Sequence, residues 1–571
     1  MPRLGFWRLP MHAKTTMYPP ADPLSVAVRV FAFHECLKLL YGTGLIFGAP
    51  QITAWHVLCT VALAVMAYQP SVGACAVALS LRLIDTIMLM PFCWDSFYWC
   101  FQIDGAGLAF ILTLSSSLSR GDIAHLWSQT ARIQLALFYL AAAYWKINPS
   151  FLDPATSCST IFFLTLLPTL GLTPSPTLAA LIRDTAPLLT ILGEASIGLL
   201  LLAPSTKLQR LGVVVALSLH LGIALTPSPN NATPFSLACV VRLLITESHG
   251  FALALYPVEK SKLYTTCAVA AVAAAVSAGV VYNRAMFFSV TPVSVDWWVA
   301  AYSALSVFCL RAVAETEFSS EPSAAAKSAT PPPIAGSIRR ASVALAAAYA
   351  FVFPALGLQD LGASNMYSNL LMHGKGNHYL SPTDLMAHAF PDAFATVRVE
   401  ASTSAWMNSI YPGEITQHMA PYEVELLRSV GHTGRMFNAM KNRILGTAME
   451  VPFVRYTVPA LEMRRLLAEA RAKNESFSLT YTHLEGTGDE RWRRTASGRT
   501  VTLYEDGKGS RKCSTSSGCG HPLGGLLGCE CGADEVALQP PPGWLATKFL
   551  VQQPYPVLDE EKEDRIVCFG P

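Results

Sequence analysis

The chain has 571 residues, 52% of them hydrophobic and only 14% charged, with a mean hydropathy of +0.37. These values exclude a soluble multidomain protein of ordinary composition and point to a multi-pass membrane protein. A net charge of +2 with no basic stripe excludes nucleic acid as a partner.

No alternating barrel pattern is visible, so the spans are helical, because lipid offers the backbone no hydrogen bonds. Met1 to Pro23 carry Arg3, Arg8 and Lys14 before the first acid, Asp22, and read as a short cytosolic tail. Apolar segments come next at 26–47, 55–68, 72–90, 98–114, 135–145, 159–172, 178–202, 211–225, 235–245, 264–281, 295–313 and 342–358. Several fall short of the roughly 20 residues of a full span. The first contains Arg29, His34, Glu35 and Lys38, so it is either interfacial at its start or turned inward. Asp85 lies three residues after Arg82, within reach on one helix face. The stretch Glu315–Arg340 is rich in Ala, Ser and Pro and reads as a disordered linker. Arg339 and Arg340, just before the final apolar segment, place that linker in the cytosol. The chain from Gln359 onward then lies on the opposite side.

The stretch Ala131–Asp153 organises the rest. It is apolar from Leu135 to Trp145 and ends on Lys146, before Asn148-Pro149 stops the helix. A lysine there either snorkels to the headgroups or acts as a base. Lysine ordinarily titrates near 10.4, so a base at neutral pH needs desolvation, and a helix C-terminus opposes this by favouring the ammonium. Glu194 and His220 are further ionisable residues within apolar runs, and such residues are functional candidates. Glu194 is a counter-ion of Lys146, of Arg183, or of nothing at that depth. His220 is either functional or a neutral core histidine bonded to a carbonyl.

Tyr144-Trp145-Lys146-Ile147-Asn148-Pro149-Ser150-Phe151 resembles the lysine segment of the vitamin K-dependent gamma-carboxylase superfamily, which includes the broader horizontally transferred transmembrane (HTTM) proteins. The Gly-Glu at 193–194, the Leu-His at 219–220 and the apolar stretch Phe235–Leu244 are similar to the segments downstream of that lysine in HTTM proteins. Asn365-Met366-Tyr367-Ser368-Asn369-Leu370 with Gly374-Lys375-Gly376-Asn377-His378 looks like the family's "M-[FY]-S-N-L … N-H" element. Val451-Pro452-Phe453 and Pro459–Leu466 resemble its "P-x-(x)-E-x-R-R" helix.

The resemblance implies a membrane-embedded enzyme in which Lys146 deprotonates reduced vitamin K, another quinol or a similar lipid-soluble substrate, as a quinol-oxygenating lyase or an oxidoreductase. It implies catalytic roles for Lys146, Glu194 and His220, and substrate contacts for Tyr144, Trp145, Asn369, Asn377 and His378. The last three also read as a loop that caps the membrane bundle. The carboxylases support their base with a histidine upstream of the lysine. The comparable stretch 92–104 has Asp95 and Asp104 instead, which weighs against a peptide glutamate as co-substrate. A non-catalytic lipid- or quinone-binding protein or a transporter is the alternative, although the internal repeats common in transporters are not visible.

Beyond the last span, Leu461–Ala472 is an amphipathic helix, and Ser478–Tyr481 and Arg499–Tyr504 have the composition of strands. The expected architecture is a polytopic α-helical membrane protein with a C-terminal extramembrane α+β domain. Its divisions are a tail at 1–24, a membrane domain at 25–358, a luminal domain at 359–490 and a Cys-containing extension at 491–571. Cys513, Cys519, Cys529 and Cys531 are spaced C-x5-C and C-x-C around His521, unlike a zinc site, so disulfides and no metal are expected. Cys568 lies further on, and the nine cysteines of the membrane half read as inert fillers. Sequons stand at Asn231 and Asn474, and Pro234 weakens the first. Together these place the protein in the endoplasmic reticulum or another endomembrane, with a glycosylated luminal domain.

Overall fold

The computed structural model describes the first half over residues 23–42, 54–90, 95–226, 233–247, 260–288, 293–318 and 332–358, and the second half in shorter stretches between 367 and 570. Among the described residues the regular structure of the first half is helical: α1 (Pro23–Gly42), α2 (Ala54–Tyr68), α3 (Val72–Leu89), α4 (Asp95–Leu114), α5 (Arg120–Trp145), α6 (Pro149–Leu152), α7 (Cys158–Thr169), α8 (Pro176–Leu202), α9 (Thr206–Leu225) and α10 (Thr233–Thr246). Helices Lys260–Phe288, Val293–Phe318 and Pro333–Ala347 complete it. Among the described residues, five helical stretches are long and apolar enough to cross a membrane: Phe97–Leu114, Pro176–Leu202, Thr206–Leu225, Ser261–Val280 and Pro333–Leu356. Their outward faces keep Leu112, Leu188, Leu199 and Val272 more than half exposed, an apolar surface suited to lipid. Four further apolar helices are shorter.

The charges of α1 turn inward. Glu35 is buried and meets Arg82 of α3 at 2.7 Å, and Arg82 pairs with Asp85 at 2.5 Å, as their spacing predicts. Arg242 of α10 joins Glu35 at 3.4 Å and Asp104 of α4 at 2.5 Å. The network ties four helices together where an unpaired charge would be expensive. Lys38 and Asp95 have side chains outside the described residues.

The linker is shorter than expected. Pro333 stands in the first turn of a helix that runs through Arg339 and Arg340, because proline's fixed φ suits that position. Residues 319–331 lie outside the described residues, as do 1–22. The same helix continues into a π-turn, Ala348–Val352, where the Ala350 carbonyl accepts the Trp145 indole N–H at 2.8 Å. A widened turn frees a carbonyl that would otherwise be used within the helix.

The second half holds an antiparallel seven-stranded sheet of order β8-β7-β6-β5-β1-β4-β9. Its strands are β1 (Thr396–Ser402), β4 (Tyr456–Pro459), β5 (Ser476–His483), β6 (Thr500–Asp506), β7 (Arg511–Thr515), β8 (Cys529–Glu530) and β9 (Tyr555–Pro556). Helix Ala460–Ala472 packs Met463, Leu466, Leu467 and Ala470 on this sheet, against Val397, Leu479 and Leu503. Leu461, expected on that face, is half-buried. The sheet runs across residue 490: β5 and β6 pair over seven residues, so part of 491–571 is built into the same layer. A second sheet, β10-β3-β2, joins β2 (Gly413–Glu414), β3 (Met436–Asn438) and β10 (Cys568–Gly570).

Cys513 and Cys531 form a disulfide. Cys519 and His521 lie outside the described residues, as does the side chain of Cys529. A second disulfide, Cys158–Cys568, corrects the reading of all nine membrane-half cysteines as inert fillers. Cys158 opens α7 where β10 of the second half packs against it, so it meets a partner that sequence spacing could not indicate.

Candidate functional site

Local sequence fixes the end of α5. Asn148 caps α6, accepting the Phe151 N–H at 2.9 Å, and donates to the carbonyls of Trp145 at 2.9 Å and Ser368 at 2.7 Å. Pro149, at the first position of α6, has no N–H to satisfy. One asparagine thus closes α5, starts α6 and holds the segment around Ser368, leaving Lys146 at the C-cap of α5.

Lys146 does not snorkel outward. Its side chain is 4% exposed, and Nζ lies 2.9 Å from Glu194 Oε2 and 3.0 Å from Oε1. It also donates to the Ala142 carbonyl at 3.3 Å and sits 5.7 Å from the Phe151 ring centroid. Of the possible partners of Glu194, the structure selects Lys146, since Arg183 pairs with Asp184 and bonds to the Val430 carbonyl. Gly198, one turn beyond Glu194, makes the pairing possible. A Cβ there would meet Leu140 Cγ at 2.6 Å and the Ala136 carbonyl at 2.9 Å, so only glycine lets α8 lie this close to α5.

Two turns earlier on α5, the Tyr139 hydroxyl lies 2.7 Å from His220 Nε2 of α9. His220 Nδ1 is buried and has no hydrogen-bond partner among the described residues. Trp99 and Phe235 pack around this pair, with Trp99 edge-on to Tyr139 at 6.1 Å and Phe235 edge-on to His220 at 5.1 Å.

Lys146, Glu194, Tyr139 and His220 all line one cavity of about 280 Å³. Its remaining walls are mostly apolar and include Trp99, Phe151, Phe162, Leu166 and Phe235. Phe163 and Ser218, both exposed, lie at its edge between α7 and α9. The volume is just below the roughly 300–1,000 Å³ usual for small-molecule pockets. An apolar chamber with aromatic walls and a few polar groups has the make-up of a small-molecule pocket.

The structure therefore brings Lys146, Glu194 and His220 together. The other expected contacts lie elsewhere. Tyr144 and Trp145 do not line the cavity; the His378 ring lies tilted against Tyr144 at 4.6 Å and edge-on to Trp145 at 5.0 Å, and donates from Nε2 to the Tyr144 carbonyl at 2.8 Å. Burial lowers the His378 pKa from its ordinary value, against the opposing effect of that carbonyl. Asn369 bonds to the Cys158 N–H at 3.3 Å and the Thr156 carbonyl at 3.1 Å, holding the start of α7. Asn377 lies outside the described residues.

Sequence reasoning missed Tyr139, Trp99 and Phe235. Tyr139 was within reach, since it stands seven residues before Lys146 on the same helix face. Trp99 and Phe235 come from other helices, and nothing in their spacing marks them.

The second half docks beside this site. Thr433 N–H donates to the Ala155 carbonyl at 2.9 Å, and His432 Nε2 donates to the Ser157 carbonyl at 3.2 Å, while His432 Nδ1 accepts the Gly434 N–H at 2.9 Å. Burial holds the His432 pKa down to about 4. Cys158, which lines the cavity, is the residue tied to Cys568.

Residues 376–548 match a family described as a domain of unknown function, DUF8388, which takes in most of the seven-stranded sheet. No curated protein and no solved structure matches the chain.

Proposed function

We propose that this protein is a membrane-embedded enzyme that removes a proton from a quinol or similar lipid-soluble aromatic alcohol, with Lys146 as the base. The observation that supports this reading is the placement of Lys146 against Glu194 inside a mostly apolar cavity. In the resting pair Lys146 is an ammonium and Glu194 a carboxylate. Transfer of one proton from Nζ to the carboxylate leaves an amine and a carboxylic acid, both neutral, in surroundings that disfavour charge. The amine then takes the hydroxyl proton of the substrate, leaving an oxyanion beside the new ammonium. The resemblance to the vitamin K-dependent carboxylases and HTTM proteins supports the same role for Lys146, with a reduced quinone as its partner. In this reading the protein sits in an endomembrane with the sheet domain on the luminal side.

A second reading rests on the same ion pair: a carboxylate at 2.9 Å favours a permanently charged lysine, as a non-catalytic quinone-binding protein would need. The deciding measurement is oxygen uptake by the full chain in lipid nanodiscs with a reduced naphthoquinone. A base predicts that Lys146→Arg and Lys146→Ala both fold and lose uptake, since arginine stays protonated. It also predicts that small amines restore part of the rate to Lys146→Ala but none to Lys146→Arg. Wild-type uptake in Lys146→Arg rules out the base, and binding without any uptake in the wild type favours the second reading.

A further inference from the structure

Charge is unevenly placed along α5. At its Lys146 end, where the second half docks, cations stand beside carboxylates: Lys146 pairs with Glu194, and Arg183 with Asp184. Toward its other end, one turn of α5 gathers basic side chains from two more helices. Gln129 accepts a hydrogen bond from Arg339 of helix Pro333–Ala347 at 3.2 Å, and the exposed Arg340 follows Arg339. Arg132 donates to Gln209 Oε1 of α9 at 2.7 Å, which brings the turn of α9 that carries Lys207 and Arg210 beside it. Arg132 and Lys146 lie about 21 Å apart along the helix at 1.5 Å per residue.

The described carboxylates of this end leave the cluster positive. Glu247 is buried and pairs with Arg132 at 3.3 Å, while Asp122, further back on α5, accepts from the Ser119 hydroxyl at 2.6 Å. Among the described residues, no carboxylate pairs with Lys207, Arg339 or Arg340. The two arginines bond instead to neutral side chains, Arg339 to Gln129 and Arg340 to Ser337. Apolar residues alternate with these cations. Leu208 and Leu211 stand beside Lys207 and Arg210, and Ile334 lies in the first turn of helix Pro333–Ala347, all three exposed. Both α9 and the stretch Pro333–Leu356 are long and apolar enough to cross a membrane. Placed across a bilayer, they carry their cations in the turns nearest one boundary, where lysine and arginine lay their stems on apolar surface and lift their charge to the headgroups.

We infer that this end of the helical half is a docking surface for acidic phospholipid, with the headgroup anions at Lys207, Arg210, Arg339 and Arg340 and the acyl chains along Leu208, Leu211 and Ile334. Lipid fits this surface better than a soluble anion does, because a free phosphate would leave the exposed leucines in water. The attraction is local, since the whole chain has a net charge of only +2. It is also independent of any chemistry at Lys146.

The test is native mass spectrometry of the full chain, titrated in mild detergent with phosphatidylserine or with phosphatidylcholine of the same acyl chains. A basic side chain beside acidic lipid is worth roughly fivefold in affinity, so the wild type should bind its first phosphatidylserine about tenfold more tightly than phosphatidylcholine, or better. Replacing Lys207, Arg339 and Arg340 together by glutamine should abolish the preference. Lys207→Glu alone, at an exposed position, should reduce it by about fivefold or more. Replacing Lys508, Arg511 and Lys512 by glutamine removes the same charge from exposed positions of the sheet domain and should leave the preference intact. Pyrophosphate should displace no more lipid than ammonium acetate does at the same ionic strength. Equal binding of the two lipids by the wild type overturns the inference, as does a preference that survives both the triple glutamine change at 207, 339 and 340 and Lys207→Glu. An equal loss in the sheet-domain variant assigns the effect to overall charge and overturns the site. Displacement by pyrophosphate beyond the salt effect makes this a soluble-anion site and overturns the lipid.

Discussion

Lys146 at the end of α5 and Glu194 in the middle of α8 face each other at 2.9 Å, although 48 residues separate them in the chain. The pair is shielded from water on the Lys146 side and lies in a mostly apolar chamber. Removing one partner therefore differs from removing both.

Glu194→Leu alone strands an ammonium in the cavity and should destabilise the helical half by about 3–5 kcal/mol, whereas Lys146→Met with Glu194→Leu should recover most of that loss. Thermal unfolding in nanodiscs, followed by tryptophan fluorescence, measures both. A double variant no more stable than the single one would show that the pair is not the coupled unit described here.

Gly198 controls the distance between α5 and α8. Gly198→Leu must push Leu140 and the Ala136 carbonyl away, and overpacking of this kind typically costs about 1–3 kcal/mol. The larger effect should be on the site, because Glu194 moves with α8. Cross-linking of cysteines placed at 146 and 194 should be efficient with Gly198 present and fall sharply in the leucine background. Unchanged cross-linking would mean that the helices are held together elsewhere.

His432 should make docking of the second half depend on pH. Its folded pKa of about 4 lies below the ordinary 6.5, so the unfolded state takes up a proton first as pH falls. The stabilisation is fully present above pH 6.5 and is lost as pH falls from 6.5 towards 4, by up to about 3 kcal/mol. Protonation also puts a hydrogen on Nδ1, the atom that accepts the Gly434 N–H in the neutral ring. Thermal stability measured across this range should fall steeply in the wild type and stay flat in His432→Gln, which starts lower. Parallel curves for the two would assign the pH dependence to another group.

Topology is tested at Asn474, which is exposed in a left-handed turn with φ of 54° just after helix Ala460–Ala472. A luminal second half predicts that glycosidase treatment shifts the mass of the wild type and not of Asn474→Gln, and that proteases leave this half intact in sealed, cytosol-side-out vesicles. Digestion without opening the vesicles would place it in the cytosol.

The two halves were legible to different degrees. Apolar runs marked the helices because burial in lipid requires long uninterrupted hydrophobic stretches, and proline at 149 marked where α5 stops. Lys146, Glu194 and His220 stood out because charged or titratable residues are rare in such runs, and all three line one cavity. What sequence could not show were relationships between helices: that α8 needs Gly198 to approach α5, that Trp99 packs on Tyr139 and Phe235 on His220, and that Cys158 has a partner at 568. The expected substrate contacts Tyr144, Trp145 and His378 form a cluster of tilted and edge-on rings outside the cavity lining. The nearness of Tyr144 and Trp145 to Lys146 in the chain did not bring them into its chamber, because α5 points neighbouring side chains in different directions, and His378 comes from the second half to cover them.

The bond between Cys158 and Cys568 also sets an order of assembly. Its two sulfurs are 410 residues apart, and at about 5–20 residues per second a ribosome needs roughly 20–80 s to make the second after the first. For that interval Cys158 is a lone thiol beside a half-built chamber, open to mispairing with cysteines made in between. The wall that Cys158 contributes is thus locked only after the sheet domain has been translated and has folded far enough to present β10. Premature termination after the last helix of the first half but before residue 568 would leave the helices synthesised but the chamber without its last fastening.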